Sequence, residues 1–217
     1  YRQSPESLKK HVMARRRAGI DDFISEQEIE GVYEVVFKDI DIFQNDINLL
    51  KNRFVSPLSS FATSFYKYYI VDTLLIDNTP CIDLFFTPFN AESMGFNGHM
   101  YITPDSTHFI KRVKMSTPND INLNFIRSLN INLHYTPSAD GTPLLDKEQL
   151  IAEFEIAGDF SGVYVKREVS YNSYLLDQPD DTSIFDHPES IVEDADSRTK
   201  DELYWMVNRI GDVSEKE

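Results

Sequence analysis

Between residues 121 and 135 the chain alternates with a period of two. Ile121, Leu123, Phe125, Leu129, Ile131, Leu133 and Tyr135 take odd positions, while Asn122, Asn124, Ser128, Asn130, Asn132 and His134 take even ones. That alternation predicts a strand with one apolar and one polar face. Arg127 interrupts it, so the segment reads as one unusually long strand or as two strands kinked near Arg127. Upstream, residues 65–115 read as four strands of an antiparallel meander. Asp77-Asn78-Thr79-Pro80, the loop bracketed by Gly95 and Gly98, and Pro104-Asp105-Ser106 supply the turns. In the first of these strands Tyr66, Tyr68, Ile70, Leu74 and Ile76 share one side and Tyr69, Val71 and Leu75 the other, so both faces are expected to be partly covered. Downstream, Asp140-Gly141 is a turn signal before a strand through Leu150, Ala152, Phe154 and Ile156. Gly158-Asp159 and Ser161-Gly162 then precede a last strand carrying Val163, Val165, Val169 and Tyr171.

The helical period appears near the start. From Ile20 to Ile40 apolar residues recur at spacings of three and four, with Ser25 and Glu28 placed as a capping box. Asn45 and Asn48 mark a break before a last helical turn, and Ser56-Pro57 biases the chain to an extended or turn conformation. The expected fold class is therefore α+β, with a curved antiparallel sheet of seven strands and an N-terminal helix against it. The expected organisation is a connector over 1–19, one domain over 20–176, and an acidic linker with a closing pre-barrel segment over 177–217. Residues 177–202 hold many carboxylates and few apolar anchors, the composition of a mobile segment. Leu203, Trp205, Met206 and Ile210 then resume a short helical or docking pattern.

Charge narrows the partners. With 36 acidic against 21 basic residues the chain carries a formal −15, a field that repels nucleic acid and anionic membrane surfaces. The single cysteine, Cys81, falls in a strand and reads as a small buried hydrophobe. No stretch reaches the roughly 20 apolar residues that a membrane helix needs. A chain opening on Tyr1 reads as a segment of a longer protein, so a signal peptide or anchor can lie outside it.

Chemistry was sought and none assembles. The five histidines form no HExxH and no pair at i, i+4, so no metal or cofactor is expected. His99 and His134 are placed to meet across strands, and ordinary strand-edge histidines account for them equally well. Gly158 to Gly162 holds its serine one position late for a nucleophile elbow, and the glycines form no phosphate-binding loop. No catalytic residue is assigned.

Several stretches together carry a resemblance: Phe54-Val55-Ser56-Pro57-Leu58-Ser59, the run Phe65–Thr73 (FYKYYIVDT), Phe96-Asn97-Gly98 leading into Met100-Tyr101-Ile102, and Asn122-Leu123-Asn124-Phe125-Ile126. The closing Tyr204-Trp205 with Arg209 and Glu217 adds to them, although Ile210-Gly211 stands where a proline is expected after the arginine. In these the chain resembles the middle region of a Bacteroidetes outer-membrane family of unknown function. That family is understood to join an N-terminal carboxypeptidase-regulatory-like domain, a periplasmic middle region and a C-terminal transmembrane β-barrel. The strand pattern is also similar to the half-barrel sheets of LolA and LolB, the lipoprotein carrier and receptor.

The resemblance implies a non-enzymatic module at the periplasmic face of the outer membrane, with the attached barrel as partner. The apolar odd positions supply more surface than one helix plausibly covers, which makes the concave sheet face a candidate site for a lipid or lipoprotein acyl chain. Phe125, Ile131, Leu133, Phe154 and Tyr171 are its expected ligand-binding residues. The alternatives are that these residues are plain core and the module is a docking scaffold for the barrel or an envelope partner, or that it is an envelope hydrolase.

Overall fold

The computed structural model describes residues 2–3, 8–14, 40–49, 52–119, 121, 123, 126–154, 163–171, 173–174, 183–189 and 191–208. The chain divides into two compact units, one of residues Glu26–Asn172 and one formed by Tyr1–Ser25 with Ser173–Glu217. The helix expected over Ile20 to Ile40 lies outside the described residues, except for Ile40 itself, which is buried.

The larger unit is built on seven strands in sequence order: β5 (Tyr66–Ile76), β6 (Thr79–Pro88), β7 (Asn97–Ile102), β8 (Ile110–Ser116), β9 (Ile126–Pro137), β10 (Pro143–Phe154) and β11 (Val163–Ser170). Every neighbouring pair is antiparallel, and the sheet is not closed. The fold is mostly antiparallel β-structure with few helices. Turn chemistry explains the meander. Asp77 and Asn78 both take positive φ (46° and 61°) between the paired residues Ile76 and Thr79, the conformation of a two-residue hairpin turn whose hand matches the strand twist. Gly141, at φ 87°, closes the β9–β10 loop.

Alternation sets the register, and register shifts at four places reset it, two of them bulges at Arg127 and Val71. In β9, Leu129, Ile131, Leu133 and Tyr135 are buried while Asn130 is exposed. Ser128 pairs with Glu153 but Ile126 pairs with Phe154, leaving Arg127 as the extra residue of a bulge. The polar interruption in the sequence is thus where the parity of the strand changes, and Ile126 turns inward in place of Arg127. A second bulge sits at Val71, because Ile70 pairs with Leu84 and Asp72 with Asp83. Beyond it Leu74 and Ile76 leave the side held by Tyr66 and Tyr68, a departure from the single register read in the sequence. Nor are both faces of β5 covered: Tyr69, Ile70, Val71 and Leu75 are all exposed.

A hairpin of β3 (Asp46–Leu49) and β4 (Asn52–Val55) stands where a last helical turn was expected. Its Ile47, Leu49, Phe54 and Val55 join Met100, Val113, Leu129, Leu133 and Leu150 in one buried cluster. Each such side chain contributes about 1.5–3 kcal/mol through burial. The joint is polar as well as apolar. The Tyr66 hydroxyl donates to the Val55 carbonyl (2.6 Å) and accepts from the Phe96 N–H (3.0 Å), while Phe54 stacks on Phe96 at 4.9 Å. The short helix α1 (Ala62–Phe65) leads into β5.

The smaller unit contains a three-stranded sheet of β1 (Arg2–Gln3), β2 (Leu8–Val12) and β12 (Ile191–Glu193), with β12 parallel to β2. Lys9 is buried and donates to the carbonyls of His187 and Glu189 at 2.6 and 2.8 Å. His11 Nε2 lies 2.7 Å from Asp194 Oδ1. The acidic stretch therefore has anchors that its composition does not reveal, Ile184 and Ser197 among them. Helix α2 (Glu202–Asn208) follows, capped by Asp201, whose carboxylate accepts the Tyr204 N–H at 2.8 Å.

Candidate functional site

Three of the five residues expected to bind an apolar ligand converge, but inside the protein. Ile131, Leu133 and Phe154 are 2%, 0% and 2% exposed and belong to the main core cluster. Tyr171 follows β11 half-buried, its N–H donating to the Asp146 carbonyl at 2.9 Å. Phe125 lies outside the described residues. A ligand reaching the three buried positions would have to displace packed side chains, since protein cores hold few voids larger than a water molecule.

The opposite side of the same strands is partly exposed, with Lys114 and Lys147 in solvent and Asp83 and Tyr101 buried, and the strand register arranges it in rows. One row runs Phe85, His99, Lys114, Asn132, Gln149 over β6 to β10, each residue directly opposite the next. The next runs Asp83, Tyr101, Arg112, His134 and Lys147. Along a strand, residues two apart are about 6.8 Å from one another, and neighbouring strands lie about 4.8 Å apart. His99 and His134 accordingly do not meet: they sit on different rows with β8 between them.

Side-chain bonds order this surface. His99 Nδ1 lies 2.7 Å from Asp83 Oδ1, so the Nδ1–H donates to the carboxylate and Nε2 is left for another partner. The imidazole is flanked by Phe85 at 5.1 Å and stacked with Tyr101 at 6.4 Å. Arg112 donates its Nε–H to Asn132 Oδ1 at 3.0 Å, and the Lys114 ammonium sits 6.0 Å from the Tyr101 ring. Burial, followed by the charge of Asp83, raises the Tyr101 pKa; burial, followed by the charge of Arg112, lowers that of His134. Both groups are thereby held neutral at neutral pH. Between β7 and β10 lies a shallow depression of about 470 Å³, lined by His99, Arg112, Lys114 and the amides of Asn97, Asn130, Asn132 and Gln149.

The second exposed feature is β5. It is the terminal strand of the sheet, and among the described residues no strand pairs with its outer edge. Ile70 is 74% exposed and Leu75 65%, with Tyr69 and Val71 also exposed. Among the described residues, no group of three or more His, Cys, Asp or Glu could hold a metal ion. No helix among them is long and apolar enough to cross a membrane.

In the sequence the even positions of β9 are the polar complement of an apolar face. What turns them into a grid is their pairing with Lys114 and Gln149, and a register across strands is not visible in one strand.

Residues 1–172 match the family of unknown function DUF5686, and the chain belongs to that family. No curated protein and no solved structure matches the chain.

Proposed function

We propose that this member of the family is a non-enzymatic docking module, and that the outer edge of β5 receives an extended apolar segment. The supporting observation is the exposure of Tyr69, Ile70, Val71 and Leu75 on a terminal strand of eleven residues. Such an edge offers unpaired backbone groups beside apolar side chains, the arrangement by which a sheet gains a strand from a partner. Natural sheets ordinarily blunt a long apolar edge of this kind.

The sequence resemblance supports a place for the module between a regulatory-like domain and a β-barrel at the periplasmic face of a Bacteroidetes outer membrane. On that reading the arriving segment comes from the attached barrel or from an envelope partner. A half-barrel sheet of the LolA type, with a lipid or lipoprotein acyl chain on its apolar side, is the weaker form of the proposal. It needs the core around Ile131, Leu133 and Phe154 to open.

The test is site-specific photo-crosslinking in the full-length protein in its native membrane. A crosslinker replacing Ile70 or Leu75 is expected to give one dominant adduct to an extended apolar segment, while one replacing exposed Thr136 on β9 gives none. Equal labelling from all three positions, or none from Ile70 and Leu75, would overturn the proposal.

A further inference from the structure

We propose that the depression on the open face of β7–β10 is a binding site for an acidic saccharide, a hydroxyl-rich ligand carrying a carboxylate. The argument starts from two cations. Among the described residues no carboxylate forms an ion pair with Arg112 or Lys114, although the chain as a whole carries −15. The nearby carboxylates are engaged elsewhere: Asp83 with His99 (2.7 Å), and Glu168 with Gln149 (2.7 Å) and Lys166 (3.0 Å). Arg112 and Lys114 are two residues apart on β8 and point to the same face, so their charges add at one place about 6.8 Å wide.

The neutral groups around them decide the class of ligand. Asn97, Asn130, Asn132 and Gln149 line the same depression; the Asn97 and Asn132 oxygens already accept from Thr87 and Arg112 and the Gln149 amide donates to Glu168, which leaves the Asn97 and Asn132 N–H donors and the Gln149 oxygen to match hydroxyls, groups that both donate and accept. His99, fixed through Nδ1 by Asp83, adds a nitrogen oriented by that bond. The four strands span about 14 Å, enough for more than one sugar ring. A densely charged polyanion is disfavoured because the net charge of the chain repels it at long range. A ligand with one carboxylate among many hydroxyls gains the local attraction without that penalty. A phospholipid headgroup would leave most of the amides without partners.

The full 217-residue chain is titrated calorimetrically and by amide chemical shifts with an aldotriouronic acid, a trisaccharide bearing a single carboxylate, with its carboxyl-reduced neutral counterpart, and with vesicles bearing either glucuronosyl diacylglycerol or phosphatidylglycerol. Saturable binding of an acidic-sugar probe is expected, with shifts concentrated on β7–β10 and about tenfold weaker binding of the neutral counterpart, the loss of one charge-assisted contact. Lys114→Ala should weaken binding about tenfold at unchanged melting temperature. Asn132→Asp, which keeps an acceptor for the Arg112 Nε–H, should abolish binding by placing a carboxylate in the site. Binding of the aldotriouronic acid identifies a free saccharide as sufficient, and binding of glucuronosyl vesicles alone identifies a lipid-borne one. Saturable binding of neither acidic-sugar probe, equal binding of phosphatidylglycerol vesicles, or indifference to both substitutions would overturn the assignment. The site is independent of the β5 edge, so Ile70→Lys should leave the titration unchanged.

Discussion

The Arg167 guanidinium lies 3.0 Å from the Glu148 carboxylate on the apolar side of the sheet, where the Glu148 side chain has no exposure and that of Arg167 is 10% exposed. Glu148 sits opposite Leu133 and Arg167 opposite Leu150, so the pair bridges β10 and β11 diagonally within the hydrophobic register. Removing Arg167 takes an ion-pair partner from a buried carboxylate, whereas removing both leaves no such charge in the core. Arg167→Leu is therefore expected to cost about 3–5 kcal/mol, and the double change Glu148→Leu with Arg167→Leu considerably less. Urea denaturation of the three proteins decides it. A double variant less stable than Arg167→Leu would contradict the argument.

Tyr66 joins hairpin β3–β4 to the sheet through its hydroxyl. In Tyr66→Phe the ring contacts to Phe65 and Phe86 persist, but the Val55 carbonyl and Phe96 N–H lose a partner. The expected loss is about 1–3 kcal/mol, measured by chemical denaturation.

Alkali should act on the same place. Burial raises the pKa of Tyr66 and pushes that of Tyr68 up to about 12, against an ordinary 10.0. The unfolded chain ionises first, so the stabilising difference is present below pH 10 and is lost as pH rises from there through the folded-state values. Tyrosinate absorbance is expected to show Tyr66 and Tyr68 ionising above the ordinary 10.0. Ionisation of all tyrosines together near pH 10 before any unfolding would refute this.

Gly98 pairs with Met115 on β8, and a methyl group at its Cα would collide with the Lys114 carbonyl and the Met115 backbone, with Phe86 on the other side. Two of these obstacles are backbone and cannot rotate away. Gly98→Ala is expected to destabilise by about 1–3 kcal/mol and to disturb the β7–β8 amides first, as read by thermal melting and amide exchange. An unchanged melting temperature would show that the strands can separate locally at no cost.

His134 titrates below the ordinary 6.5 because it is half-buried and faces Arg112 and Lys147. Since the unfolded chain takes up this proton more readily, His134 costs stability as pH falls through 6.5 toward its folded value, and has no such effect above that range. Proton-NMR titration of the histidine ring signals is expected to place His134 below the ordinary 6.5.

Much of the larger unit was legible because strand formation here rests on local patterns. Alternation in 121–135 marked the buried and exposed sides of β9, and Arg127, the one interruption, fell at the bulge where the parity changes. Asp77-Asn78 and Asp140-Gly141 specified turns through backbone conformations that few other residues adopt. The seven strands follow one another in the sheet in sequence order, so neighbours along the chain are neighbours in space. Glu148 and Arg167 also stand in the apolar registers of β10 and β11, so their pairing leaves a signal in the sequence.

Other features depended on contacts that no local pattern contains. Hairpin β3–β4 is short and mixed, and its strands hold because Leu49 and Phe54 enter a cluster with residues of the distant sheet. The pairing of β12 with β2 links residues about 180 apart, through Lys9 and two carbonyls. Composition marks residues 177–202 as acidic and poor in anchors, because it cannot register bonds supplied by another part of the chain. The same reason governs the candidate sites: alternation determines that one side of the sheet is apolar, but only tertiary packing decides that this side is filled while the polar face and the β5 edge remain exposed.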